Sequence, residues 1–317
     1  MSSESVTPYW LRQYTKVTAV STLFLIFAGA MVTSTGSGLA VPDWPLSYGQ
    51  LMPPMVGGIF YEHGHRMIAA AVGLLTLIQA FWLQSREPKR FVRRLGWVAL
   101  AAVIIQGLLG GLTVLYLLPT AISVSHAALA EIFFCLNVSI AFFTSATWHR
   151  WSVESQRSPH RPVATASKVL VGLVFVQILI GAVMRHMGAG LAIPDFPLSH
   201  GRLVPTFESS EIVVNYMHRL GAVAVTIATV VTASLAIRSA RAAVRRLAGG
   251  LVILVAIQIM LGAYTVWSAK HPITTSLHVA TGASILAVSL LLALSSHRAS
   301  ATDSANEIGD EGSRVPA

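Results

Sequence analysis

The sequence predicts an all-α fold: a polytopic membrane helical bundle of eight transmembrane helices, built as two tandem four-helix units. Three observations predict it. The 317-residue chain is 54% hydrophobic and only 11% charged, whereas a soluble domain carries about a quarter charged residues. Eight apolar segments, at 17–35, 66–84, 95–116, 124–147, 168–186, 212–237, 247–267 and 275–295, each approach the ~20 residues that cross a bilayer. The third observation is an internal repeat. Gly38-Leu-Ala-Val-Pro-Asp-Trp-Pro-Leu-Ser-Tyr-Gly49 returns as Gly190-Leu-Ala-Ile-Pro-Asp-Phe-Pro-Leu-Ser-His-Gly201, displaced by 152 residues.

The first segment has Arg12 and Lys16 ahead of it and Ala28-Gly29-Ala30 behind, the outline of a signal peptide. It is read as a retained span because seven more follow and Gly181-Ala-Val-Met echoes its Gly29-Ala-Met-Val. The second opens on Tyr61-Glu62-His63-Gly64-His65-Arg66, where helical spacing puts Glu62 and His65 on one face. Gln106 in the third segment returns as Gln258 in the seventh, and His126 in the fourth returns as His278 in the eighth, both at the offset of 152. His65 returns as His218 in the sixth after one inserted residue. Residues 17–147 and 168–297 are therefore the two units, joined by a cytoplasmic linker at 148–167. Residues 1–16 are a cytoplasmic tail, and 298–317, polar and mixed in charge, a disordered cytoplasmic one. Each unit has an even number of spans, so the repeat is parallel, about an axis along the membrane normal.

With the N-terminus inside, 17 of the 22 Lys and Arg residues fall on the inner side. The positive-inside rule thus predicts both termini cytoplasmic in a cell membrane, surrounded by lipid. The bases sit between apolar runs rather than on one soluble face, so no nucleic-acid partner is expected. The only cysteine, Cys135, excludes an intrachain disulfide.

His65, His126, His218 and His278 all fall near the outer start of an even-numbered span. Within each unit the pair comes from two helices, which is how a bundle grips a haem iron through two axial ligands. Arg66 and Arg219 each follow a histidine, where a guanidinium suits a haem propionate or snorkels to the interface. Trp44 and Phe196, in the repeated loops, either cover a haem edge or anchor the loop. Gln106, Gln177 and Gln258 read as hydrogen-bonding glue between helices. His149, His160, His186, His200, His271 and His297 read as loop or interface residues, and His63 has no repeat mate, Tyr216 standing there. One position breaks the symmetry: Glu62 precedes His65 by three residues, whereas Asn215 precedes His218. An acid beside only one haem suggests chemistry in the first unit and a permanent cofactor in the second. Glu62 also reads as a helix-start charge or as the partner of Arg66 at i+4.

Taken together, Glu62-His63-Gly64-His65-Arg66, the repeated Gly-Leu-Ala-Val-Pro-Asp-Trp-Pro-Leu loop, His126, Tyr216-Met217-His218-Arg219 and His278 resemble the haem A synthase family over residues 17–297. The resemblance implies oxidation of a methyl group of haem O to a formyl group by successive hydroxylation, giving haem A for haem-copper oxidases. It implies a haem b cofactor on His218 and His278 with Arg219 beside it. It also implies haem O near His65, His126 and Arg66, with Glu62 as the catalytic carboxylate. The partners it implies are an electron donor, haem O synthase and cytochrome oxidase assembly factors. Many bacterial members carry two cysteines in the first outer loop, whereas 39–47 here has none. An electron-carrying cytochrome b would explain the histidines and leave Glu62 without a task. A di-iron hydroxylase would need more inward carboxylates than Glu62 and Glu131, and a transporter on the same repeat would need no haem.

Overall fold

A computed structural model describes residues 7–148, 161–239 and 241–311, with the side chains of Arg161 and of 297–311 left aside. Most of the expected linker at 148–167, with His149 and His160, lies outside the described residues, as do parts of both tails. Among the described residues eight helices are long and apolar enough to cross a membrane. They are α1 (Tyr9–Ser34), α2 (Gly58–Arg86), α3 (Arg90–Leu115), α4 (Thr120–Thr144), α5 (Arg161–His186), α6 (Ser210–Ile237), α7 (Ala242–Trp267) and α8 (Pro272–Glu311). The spanning part of α8 is Pro272–Ser296. Its helix runs on through the start of the polar tail, with no Pro or Gly between His297 and Ile308 to stop it.

Local chemistry sets the ends. Pro88 follows α2 and denies it a further turn. Leu117 and Leu118 after α3, and Ala269 and Lys270 after α7, take left-handed φ values between 50° and 66°. Ser209 caps α6 by accepting the Ile212 N–H. Pro272 opens α8, where its missing N–H costs nothing.

Helices α1 to α4 pack in a ring, each touching the next and α4 closing on α1. Helices α5 to α8 do the same. The rings meet where α1 touches α8 and α4 touches both α5 and α8. Leu11, Val72, Leu83, Phe133 and Ile140 fill the first ring; Leu170, Leu251, Leu286 and Leu292 fill the second. Between them, Ala19, Phe134, Val138, Ala283 and Ala287 form a seam of mostly small residues that lets the backbones approach. The outward flanks stay apolar, with Phe81, Ile104, Ile227, Ile253 and Met260 exposed, which only a lipid surround makes favourable.

At one end of the bundle the loops between α1 and α2 and between α5 and α6 are near copies. Ser47 pairs with Gln50 and Ser199 with Arg202. The Asp43 carboxylate accepts the Tyr48 and Gly49 N–H groups at 2.6 and 2.8 Å. Asp195 accepts those of His200 and Gly201 at 2.7 and 2.8 Å. Hydrogen bonds from Gly49 and Gly201 lead in holding the two carboxyls below the ordinary aspartate range.

Candidate functional site

The four repeat-related histidines sit beneath these loops, about two turns inside the helices that carry them. Each ring lies against a glycine of the neighbouring helix. A Cβ added at Gly29 on α1 would stand 2.9 Å from His65 Cε1, and one at Gly110 on α3 would stand 3.2 Å from His126 Cε1. In the second ring, Gly181 on α5 gives 2.9 Å to His218 and Gly262 on α7 gives 3.1 Å to His278. Only a residue without a side chain admits an imidazole so close to a helix axis, which is why small residues recur there.

His218 and His278 face one another with ring centroids 6.3 Å apart and planes at 67°. Two imidazoles ligating one iron from opposite sides, each through a metal–nitrogen bond of about 2 Å, would put their centroids roughly 6 Å apart. The pair therefore fits an axially ligated haem. His278 Nδ1 lies 3.2 Å from the Gln258 carbonyl, a bond that fixes the ring's orientation. Among the described residues no group of three or more His, Cys, Asp or Glu side chains could hold a bare metal ion.

Glu62 is 4% exposed. Its Oε1 meets Arg66 Nη2 at 2.7 Å and its Oε2 accepts the Val41 N–H at 2.8 Å. Arg66 also donates to the carbonyls of Asp43 (2.8 Å), Leu46 (2.9 Å) and Val41 (3.3 Å). Its guanidinium is thus wrapped by the loop, and the propionate contact that its place in the sequence suggests would compete with these three bonds and with Glu62. Arg219 is held in the same way, by the carbonyls of Leu198 (2.7 Å) and Ile193 (3.0 Å) and by Asn215 Oδ1 (3.1 Å). Asn215 Nδ2 completes the clamp on the Ala189 carbonyl at 2.9 Å. Both rings therefore carry an arginine clasp on matching carbonyls, Val41 with Ile193 and Leu46 with Leu198, but Glu62 accepts the Val41 N–H where Asn215 donates to the Ala189 carbonyl.

Comparison with known proteins fixes the family. Residues 56–290 match the family model described as COX15-CtaA, cytochrome oxidase assembly protein. The chain belongs to the COX15-CtaA family. It is 30% identical to the heme A synthase of Shouchella clausii over 219 residues, 67% of this chain and 71% of that one. It is 31% identical to the heme A synthase of Symbiobacterium thermophilum over 215 residues, 65% of this chain and 68% of that one. The heme A synthase of Alkalihalophilus pseudofirmus is 29% identical over 218 residues, covering 66% and 71% of the two chains.

In this COX15-CtaA chain the glutamines prove closer to the histidines than a role as glue between helices requires. Gln106 Nε2 lies 3.4 Å from His126 Nε2 and Gln258 Nε2 lies 3.4 Å from His278 Nε2. Gln177 Nε2 is 3.0 Å from His218 Nδ1 and donates to the His218 carbonyl at 2.7 Å. The position 152 residues before Gln177 is Leu25, and His65 Nδ1 is buried without a hydrogen-bond partner. That difference was present in the sequence at the repeat offset. His63, without a repeat mate, is 6% exposed and holds Ser47 Oγ at 2.8 Å, so it anchors the first outer loop. Trp44 lies on α3, its ring 2.6 Å from where a Cβ on Gly111 would be. Phe196 lies 6.1 Å from Trp267, and Ala263 stands where the first ring has Gly111. The larger ring is matched by the smaller residue. Gly111→Ala should therefore unseat Trp44, read as a red-shifted Trp emission and faster protease cleavage of the 35–57 loop.

Proposed function

We propose that this chain is a haem A synthase, oxidising the methyl group of haem O to a formyl group by successive hydroxylation for delivery to haem-copper oxidases. In this reading the unit at 17–147 takes haem O between His65 and His126 with Glu62 as the catalytic carboxylate. The unit at 168–297 keeps haem b between His218 and His278. The protein lies in the plasma membrane with both termini cytoplasmic, which puts the histidine ends at the outer face.

The observation that carries the reading is the clasp made twice. In the second unit an amide, Asn215, satisfies both the arginine and the loop. A carboxylate is therefore not needed to hold this structure together, and Glu62 supplies something the clasp does not require: a fixed negative charge beside one site only. Glu62 has Arg66 on one oxygen and a backbone N–H on the other, so its charge is held in place and water is largely kept from it. Such a preorganised carboxylate stabilises positive charge developing on the substrate carbon or accepts the proton lost from a hydroxylated carbon. The resident haem, when bound, supplies one-electron redox chemistry. His65 and His126 orient the substrate macrocycle so that one edge faces Glu62.

The test is expression in a host that makes haem O but no haem A, followed by extraction and chromatography of the haems. Haem A should appear only with the protein, and the purified protein should show a b-type pyridine haemochrome. A colourless protein, or haem b without haem A, would sink the reading. Gly181→Ala should push the His218 ring away by the few tenths of an ångström that the 2.9 Å approach forbids. The expected result is less haem b per polypeptide and a shifted Soret band, with the fold kept. Unchanged spectra would show that the glycine is not what seats the ligand.

A further inference from the structure

Resting on the reading above, we infer that Lys270 and Arg185 bind the propionate carboxylates of the haem in the second unit. The first unit has no cation at the matching places, so its haem is left free to exchange. The haem held as cofactor and the haem processed as substrate would thus differ in how their carboxylates are met.

The starting point is that Arg66 and Arg219 are occupied. Each guanidinium is bound to loop carbonyls and to Glu62 or Asn215, and the two clasps match. They give no reason for one haem to stay and the other to leave. The difference lies elsewhere on the rim. Lys270 and Leu118 occupy one repeat position, 152 residues apart. Both end an α-turn with left-handed backbone, at φ 66° and 60°. Both lie over the same loop glycine: Lys270 Cδ is 3.4 Å from a Cβ placed on Gly190, and Leu118 Cδ1 is 3.2 Å from one on Gly38. The frame is the same, and a charge replaces a methyl group.

The second difference is on the helix that supports the histidine. Gln177, Gly181 and Arg185 stand at i, i+4 and i+8 on α5, hence on one face. Gln177 meets His218, and Gly181 is the surface on which that ring lies. Arg185 is the next step outward, toward the loop. Its Nη2 donates to the Ala30 carbonyl and to Ser34 Oγ, both at 2.7 Å. Among the described residues no other hydrogen bond holds it, which leaves the remaining N–H groups of the fork for a carboxylate. The corresponding stripe on α1 is Leu25, Gly29 and Thr33. A haem seated between His218 and His278 with its propionates toward the loops would meet these two cations. A haem seated likewise between His65 and His126 would meet Leu118 and Thr33 instead.

Retention and potential test this without relying on turnover. Purified wild type, Lys270→Leu, Lys270→Arg and Leu118→Lys are mixed with excess apomyoglobin, and haem b transfer is followed in the Soret region. Lys270→Leu should lose haem b about tenfold faster than wild type, Lys270→Arg at nearly the wild-type rate. Raising ionic strength should speed loss from wild type more than from Lys270→Leu, where Arg185 alone still meets a carboxylate. The midpoint potential of the b-type haem should fall in Lys270→Leu, because a nearby cation favours the reduced, less positive iron. Leu118→Lys should leave several times more haem A on the purified protein than wild type carries. Wild-type exchange, salt dependence and potential in Lys270→Leu would overturn the assignment alone. A b-type spectrum that survives His278→Ala would overturn the two-site reading and the assignment with it.

Discussion

Glu62→Asn is expected to give a folded protein that keeps its haem b and forms haem A at least a hundredfold more slowly than wild type. Substitutions at buried acids usually confuse loss of chemistry with loss of structure, since a stranded arginine is costly to leave without its partner. Here the repeat supplies the control. Asn215 already occupies the matching place, accepting from Arg219 at 3.1 Å and donating to the Ala189 carbonyl at 2.9 Å. An asparagine at 62 inherits a clasp that this chain builds elsewhere, and Arg66 keeps its carbonyl partners at Asp43, Leu46 and Val41. What is removed is the charge. A positioned acid or base contributes about 10²–10⁴ in rate, so the expected loss sits at the lower end of that range or beyond. Haem A extracted per mole of haem b is the measurement, with Glu62→Gln as a second variant that keeps the side-chain length. Product above a tenth of wild type in both would mean that Glu62 serves the clasp alone. The result also separates the synthase from an electron-carrying cytochrome, whose redox spectrum would be indifferent to the loss of this acid.

The helices were legible because a bilayer demands a long apolar run from each, and eight such runs stand clear of their charged borders. The helix at α1 starts at Tyr9, ahead of the apolar run that begins near Val17. Arg12 and Lys16 are long enough to reach the interface from within a helix, so charge does not mark where helix stops. The histidines were legible through the offset of 152, which no single motif would have revealed. Their surroundings were less so. A sequence shows a guanidinium next to His65 but not that a loop more than 20 residues away folds its carbonyls onto that guanidinium. The same holds for Gln106, whose amide donates to the His126 carbonyl at 2.9 Å and lies 3.4 Å from that residue's imidazole. Leu25 against Gln177, Thr33 against Arg185 and Leu118 against Lys270 were visible at the repeat offset, yet they acquire meaning only once the faces they share are known.

His278→Ala is expected to remove the b-type spectrum, lowering haem b per polypeptide by more than about tenfold, a loss that the partners of a metal ligand alone can cause. His278 is the better target of the second pair because its ring is fixed twice, by the Gln258 carbonyl at 3.2 Å and by the close approach of Gly262. Alanine cannot restore that ligand through a neighbour. The opposite ring, His218, then stands alone with an iron face open to water, and a singly ligated haem is both more weakly held and spectrally distinct. His126→Ala should behave differently. On the proposed assignment it would remove a ligand from the substrate site, so the b-type haem should stay and haem A formation should fall. The pair of variants thus assigns each haem to its ring by absorbance and product, without a bound structure. Equal loss of haem b from His126→Ala and His278→Ala would mean that the two rings hold their haems alike, and the division into a resident and a passing haem would have to be abandoned.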